Sequence, residues 1–213
     1  RVNAYYNGDF GKWNINFNGD FYNKVRQRSQ TAINDGQLDA ESESKVRSNL
    51  YAAKLVVSGP LWKGRLSFGT EEMFTNRRND FTQSGFSADA FNHIRQSIYA
   101  GFLEYYLNIG HMNYGAGLRY EYQKTDYYEK DVLQAEQSPS YRNWIPFLSI
   151  GYSRENLNLS FSYRLNKYSP IYSMLQSSID YDSKYEYKSG DPHLKPQKQH
   201  SFNLSGNYKW LSF

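Results

Sequence analysis

Apolar and polar residues alternate along much of this chain. From Trp13 to Arg26, the side chains of Trp13, Ile15, Phe17, Gly19 and Phe21 fall on one face of an extended backbone. Asn14, Asn16, Asn18, Asp20, Tyr22, Lys24 and Arg26 fall on the other. Successive side chains of a β-strand point to opposite sides, so a period of two predicts a strand with one apolar and one polar face. The pattern returns in Met112–Tyr122, Leu157–Leu165 and Phe202–Trp210, and no helical periodicity of comparable length interrupts it.

Nine strands can be placed in this way. The first lies near Val2–Phe10 and meets the second through a tight turn at Gly8–Lys12; the second ends around Arg26. A third covers roughly Lys45–Ser58 and turns at Ser58-Gly59-Pro60, and a fourth runs from Trp62 to about Phe74. The fifth, about Ile94–Leu107, joins the sixth at Asn108–His111. In the seventh, Trp144, Pro146, Leu148, Ile150 and Tyr152 share a face, and a turn at Arg154-Glu155-Asn156 opens the eighth. There Leu157, Leu159, Phe161, Tyr163 and Leu165 stand opposite Asn158, Ser160, Ser162 and Arg164. The ninth begins near Phe202. Four polar stretches read as long connections: Ser29–Ser44 (with Asn34-Asp35-Gly36), Thr75–His93, Asp126–Arg142 and Lys167–Gln199.

Short and long connections therefore take turns, as they do in outer-membrane barrels with short periplasmic turns and long extracellular loops. Strands of about 10 to 15 residues exceed the soluble mode of about 5 or 6. They match the ~9–11 residues a tilted strand needs to cross a bilayer. Tyr pairs near predicted strand ends (Tyr5-Tyr6, Tyr105-Tyr106, Tyr127-Tyr128) suit interfacial girdles. The expectation is an all-β, antiparallel up-and-down transmembrane β-barrel wall. A soluble sandwich, barrel or solenoid also alternates, with its apolar face turned inward.

Composition narrows this further. Only 39% of the 213 residues are hydrophobic and the mean hydropathy is −0.82, with no run of about 18 apolar residues to form a membrane helix. A barrel wall shows lipid only alternate side chains, so half of each strand can stay polar. Aromatics make up 18% of the chain, Tyr alone 21 residues. The net charge of +4 is dispersed among acidic residues, which gives no nucleic-acid stripe. There are no cysteines, hence no disulfides, thiolate metal sites or thiol catalysis.

Candidate chemistry is sparse. His93, His111, His193 and His200 lack metal-ligand spacing, and no Gly-x-Ser-x-Gly motif supplies a nucleophile. No cofactor, metal or catalytic residue is expected. The polar faces carry the more suggestive set: Asn14, Asn16, Asn18, Asp20, Arg119, Glu121, Asn158, Ser160, Ser162 and Arg164, with Asn203 beside them, would form a hydrated lumen wall or face a plug.

The segment Ser189-Gly190-Asp191-Pro192-His193-Leu194-Lys195-Pro196-Gln197 resembles the Gly-Asn-Pro-x-Leu-Lys-Pro-Glu signature in barrels of TonB-dependent outer-membrane receptors. Asp191 and Gln197 depart mildly from it. Tyr163 to Pro170 looks like the run preceding that signature in Bacteroidota outer-membrane β-barrel proteins. Gly117-Leu118-Arg119-Tyr120-Glu121 and Trp144-Ile145-Pro146-Phe147-Leu148-Ser149 look like two further stations, and the resemblance covers most of residues 95 to 210. Gly190, Pro192 and Pro196 are also plain turn chemistry, so a structural role for Gly190, Asp191, Pro192, Leu194, Lys195 and Pro196 is expected.

The resemblance implies the bacterial cell outer membrane, a barrel larger than this chain (about nine to ten strands here against roughly 22 in the plugged class), and energised uptake of a nutrient. Residues 1–213 read as a single barrel segment. Phe213 is out of phase with Phe202–Trp210, which reads as truncation rather than a terminal insertion signal. The partners implied are outer-membrane lipid, a plug domain and TonB supplied elsewhere, an unspecified nutrient ligand, and a surface lipoprotein as a candidate. Two other classes stay open at this point: a small non-transporting barrel acting as adhesin or structural anchor, and a soluble carbohydrate-binding β domain.

Overall fold

The computed structural model describes residues 1–34, 37–84, 89–183, 185–209 and 211–212; Asp35, Gly36, Trp210 and Phe213 of the patterns above lie outside these. The strands are β1 (Val2–Phe10), β2 (Trp13–Asn34), β3 (Gln37–Leu61), β4 (Gly64–Ser84), β5 (Ala90–Ile109), β6 (Met112–Glu129) and β7 (Val132–Leu133). They continue with β8 (Ser140–Arg154), β9 (Leu157–Tyr168), β10 (Ile179–Ser183), β11 (Glu186–Ser189), β12 (Gln197–Tyr208) and β13 (Leu211–Ser212). One antiparallel sheet takes them in the order β1-β2-β3-β4-β5-β6-β8-β9-β12-β13, with β7 appended to β6 and β10–β11 as a separate hairpin. Neighbours in sequence are neighbours in space, which is the up-and-down barrel topology.

At one end of the sheet the turns are tight. Phe10 pairs with Trp13, Leu61 with Gly64, Ile109 with Met112 and Arg154 with Leu157, leaving two residues in each turn. Gly11 takes φ 64° in the first, and Trp62 takes 53° in the second; positive φ matches the twist of the strands such turns join. The turn expected at Ser58-Gly59-Pro60 is thus displaced to Trp62-Lys63. Gly59 and Pro60 are strand residues opposite Leu66 and Arg65. Proline is tolerated because the β2–β3 ladder ends at Asn14↔Ser58, so Pro60 needs no N–H for β2.

At the other end three of the four expected connections are mostly strand. Ser29 pairs with Glu43 and Thr31 with Glu41; Thr75 to Ser84 pairs with Leu50 to Glu41; Ala90 to His93 pairs with Phe81 to Arg78. β6 continues to Glu129 and β8 starts at Ser140. A ladder joins backbone groups and is indifferent to side-chain polarity. Alternation shows in sequence only where the two faces meet different surroundings, so a strand polar on both faces reads as a loop. Lys167–Gln199 is the connection that departs from the sheet, through a 3₁₀ turn at Tyr172–Leu175 and the β10–β11 hairpin.

Register assigns the faces. Ile15, Val57, Phe68, Leu103, Leu118 and Pro146 align across six strands on one side. Asn18, Lys54, Glu71, Ala100, Glu121 and Asn143 align on the other. The apolar side is the open one: Leu103 is 53% and Trp144 60% exposed, against 7% for Glu121 and 3% for Asn143. A water-soluble sheet would show the reverse, because burying apolar area is what drives its folding. This inversion excludes the soluble β domain and fits a wall whose outer face meets lipid.

Candidate functional site on the concave polar face

Side chains of β3, β4, β5, β6, β8 and β9 converge on one cavity of about 790 Å³, so the polar face is the concave one. A chain of charges crosses it. Lys54 Nζ lies 3.7 Å from Glu71, whose carboxylate accepts from Arg119 at 3.0 Å. Arg119 reaches Glu121 at 3.3 Å, and the ammonium of Lys167 closes on Glu121 while also donating to Gln123 Oε1 at 2.6 Å. Cations and carboxylates alternate, so each charge on this part of the wall is answered by its neighbour. Lys167 joins because the β8–β9 ladder stops at Phe147↔Arg164, and β9 then leaves β8 to cross the concave side.

The ten polar-face residues expected from sequence all share this face, but they do not form one site. Arg119, Glu121 and Arg164 line the central cavity, with Arg164 lying 5.7 Å over the ring of Phe147. Asn14, Asn16, Asn18 and Asp20 lie on the β1–β2 flank and bond to β1. Asn14 Nδ2 donates to Asn7 (2.8 Å) and Asp9 (2.9 Å), Asn16 to Tyr5 OH (2.8 Å), and Asn18 accepts from Asn3 (2.7 Å). Asp20 pairs with Arg1 at 2.9 Å. On the opposite flank, Ser153 Oγ donates to Asn158 (2.6 Å), and Ser160 and Ser205 share a bond of 2.7 Å. Ser162 stands between Ser149 and Asn203 in the register.

Sequence reasoning missed the long connection as a part of this face. The Tyr172–Leu175 turn folds onto β5 and β6: Tyr172 OH donates to Gln96 Oε1 (2.8 Å) and Ser177 Oγ to Asn92 Oδ1 (3.0 Å). Leu175 packs with Ile94 and Tyr127. Tyr127, expected in an interfacial girdle, is instead 1% exposed and donates to Asn92 at 2.8 Å.

The signature segment holds this turn. Asp191 N–H donates to Met174 O at 2.6 Å, and Asp191 Oδ1 accepts from His193 N–H at 2.8 Å. A Cβ on Gly190 would stand 2.5 Å from Gln176 O and 2.6 Å from Met174 O, both backbone atoms, so only glycine fits. Pro192, Leu194 and Pro196 border a recess beside Tyr127 and Leu175, and Lys195 is exposed.

The histidines are dispersed. His93 meets Asn76 at 2.7 Å and stacks on Tyr128; His200 meets Tyr163 at 3.0 Å; His111 lies edge-on to Tyr152. Among the described residues no group of His, Asp and Glu is arranged to hold a metal ion.

An up-and-down sheet with a lipid-facing apolar side and a charged concave side is the wall of a membrane β-barrel. Residues 4–213 match the outer membrane protein beta-barrel family, and the chain belongs to that family. It is accordingly a protein of the bacterial outer membrane.

Among solved structures it is similar to the ferric citrate transporter FecA in its unliganded form (TM-score 0.66, 15% identity, 98% of this chain and 31% of that one). It is also similar to the ferric yersiniabactin uptake receptor FyuA from Yersinia pestis (TM-score 0.67, 14% identity, 95% and 32%). A third likeness is to the copper transporter OprC (TM-score 0.64, 12% identity, 92% and 33%). At these identities the likeness is one of fold, and the chain spans about a third of each of those proteins. No curated protein sequence matches it.

Proposed function

We propose that this chain is a section of the barrel of a TonB-energised receptor that imports a nutrient too large to diffuse across the outer membrane. In this reading residues 1–213 are wall, and the plug and the TonB contact belong to parts of the system outside them. The end with long strands and the inward-folded connection faces outward and captures ligand. The signature at Gly190–Pro196 clamps that connection onto the concave face. The ten polar-face residues line the lumen or meet the plug.

One observation carries the proposal: a sheet that follows three transporter barrels over 92–98% of its length presents charge on its concave side and apolar residues on its convex side. The test is uptake in the native host. Deleting the gene is expected to abolish growth on one iron-chelate, vitamin or oligosaccharide source, and deleting tonB is expected to abolish it equally. Protein-dependent uptake that persists without TonB would overturn the reading.

A further inference from the structure

Two cavities on the concave face hold cations in different surroundings. In the central cavity Lys54, Arg119 and Lys167 each lie against Glu71 or Glu121. A second cavity of about 490 Å³ lies nearer the long-connection end, between β2, β3, β4 and the Tyr172–Leu175 turn. Its lining contains Lys24, Arg26 and Arg77 with six serines, and also Arg28 and Lys188, the latter paired with Glu186 at 3.5 Å.

Lys24, Ser48 and Arg77 occupy one cross-strand row, and Arg26 stands one rung further along β2. Among the described residues none of Lys24, Arg26 and Arg77 makes an ion pair. The Nε of Arg77 is buried without a hydrogen-bond partner, and its guanidinium lies 5.8 Å over the ring of Tyr172. Burial holds the Arg77 pKa below its ordinary value; Tyr172 opposes this and the positive Arg26 adds to it. Like charges at neighbouring positions of a sheet repel, and a buried donor without an acceptor is costly. The central network shows how this wall answers such charges with carboxylates, and among the described residues none answers Lys24, Arg26 or Arg77.

We propose that this second cavity binds a small multivalent anion, whose carboxylate or phosphate groups are received by Lys24, Arg26 and Arg77 with the surrounding serine hydroxyls as further donors. Guanidinium forks match both groups in geometry, and the volume is that of a small-molecule site. The inference deepens the receptor reading and rests on it for the ligand's access from outside.

The test is titration calorimetry on the full-length receptor in detergent, with tricarballylate and pyrophosphate as probes and neutral raffinose as control. At least one anion should bind, more weakly as salt rises. The R26Q/R77Q variant should bind it at least tenfold more weakly, R26K/R77K, which keeps the charge and loses the forks, should recover only part of the loss, and raffinose should give no heat. If neither anion binds at low ionic strength, the cations are answered by carboxylates elsewhere in the receptor and the proposal fails. It fails equally if folded R26Q/R77Q binds as the unaltered receptor does. Should that variant not fold, K24Q carries the same comparison. Calorimetry needs no TonB. A receptor that binds anions but imports nothing refutes the import reading alone, and TonB-dependent import of a neutral nutrient without anion binding refutes this one alone.

Discussion

Glu121 is the residue on which the central network turns, because both Arg119 and Lys167 depend on its carboxylate. Its side chain is 9% exposed and that of Lys167 8%. Removing one partner of a buried pair leaves the other charge uncompensated, at a cost of about 3–5 kcal/mol. Glu121→Gln should therefore lower the urea midpoint of the protein in lipid vesicles by a corresponding amount. Asp131→Asn, which breaks an exposed pair with Arg78, should change stability by less than about 1 kcal/mol.

His93 makes a prediction in pH. It sits beyond the apolar band, where burial first, then Arg95 and Arg78, lower its pKa, with Asp131 opposing. A histidine lowered in the folded state binds its proton first in the unfolded chain. Its contribution is thus fully present above the ordinary histidine value and is lost as pH falls through the folded value. Amide protection factors, corrected for the intrinsic pH dependence of exchange, should fall in the upper parts of β4, β5 and β6 between pH 7 and 5, and His93→Gln should flatten that dependence.

At the scale of elements, strands were legible wherever their two faces differ. β1 runs over Val2–Phe10, as the alternation predicts. The polar halves of β2 to β5 were not legible, because their order comes from the neighbouring backbone and not from a contrast between faces. Amide protection across Arg28–Thr31 and Ser42–Lys45 should match that of Ile15–Phe21; exchange at the rate of open loops would contradict the extended ladder.

Phe161 and Ser162 are adjacent in β9 and point to opposite sides. A cysteine from Phe161→Cys should resist a membrane-impermeant maleimide in intact cells. One from Ser162→Cys should be open to aqueous reagents in the detergent-solubilised protein. The opposite pattern would reverse the wall.

At the scale of the molecule, the apolar band on the convex side is what needs a membrane. Transfer from detergent to plain buffer should precipitate the protein, since the exposed Leu103, Leu118 and Trp144 faces would then meet water. A monodisperse species melting cooperatively in buffer would contradict the lipid-facing assignment. The likeness to three transporter barrels also belongs to this scale: at 12–15% identity it resides in the arrangement of strands and scarcely in the residues.

The sequence by itself determined the strand period and the sorting of Asn14–Arg26 against Trp13–Phe21, because these depend on which side chains share a face and nothing more distant; that the apolar face is the open one, which separates a membrane wall from a soluble sheet, came from the structure. Tertiary structure alone decided which charges meet. Lys54 meets Glu71 through the β3–β4 register, and Lys167 reaches Glu121 only because β9 departs from β8. Arg77 lay in a stretch without visible alternation, so its place beside Lys24 was not readable. It took the pairing of β3 with β4 to set that row, since register is a relation between strands that no single strand encodes.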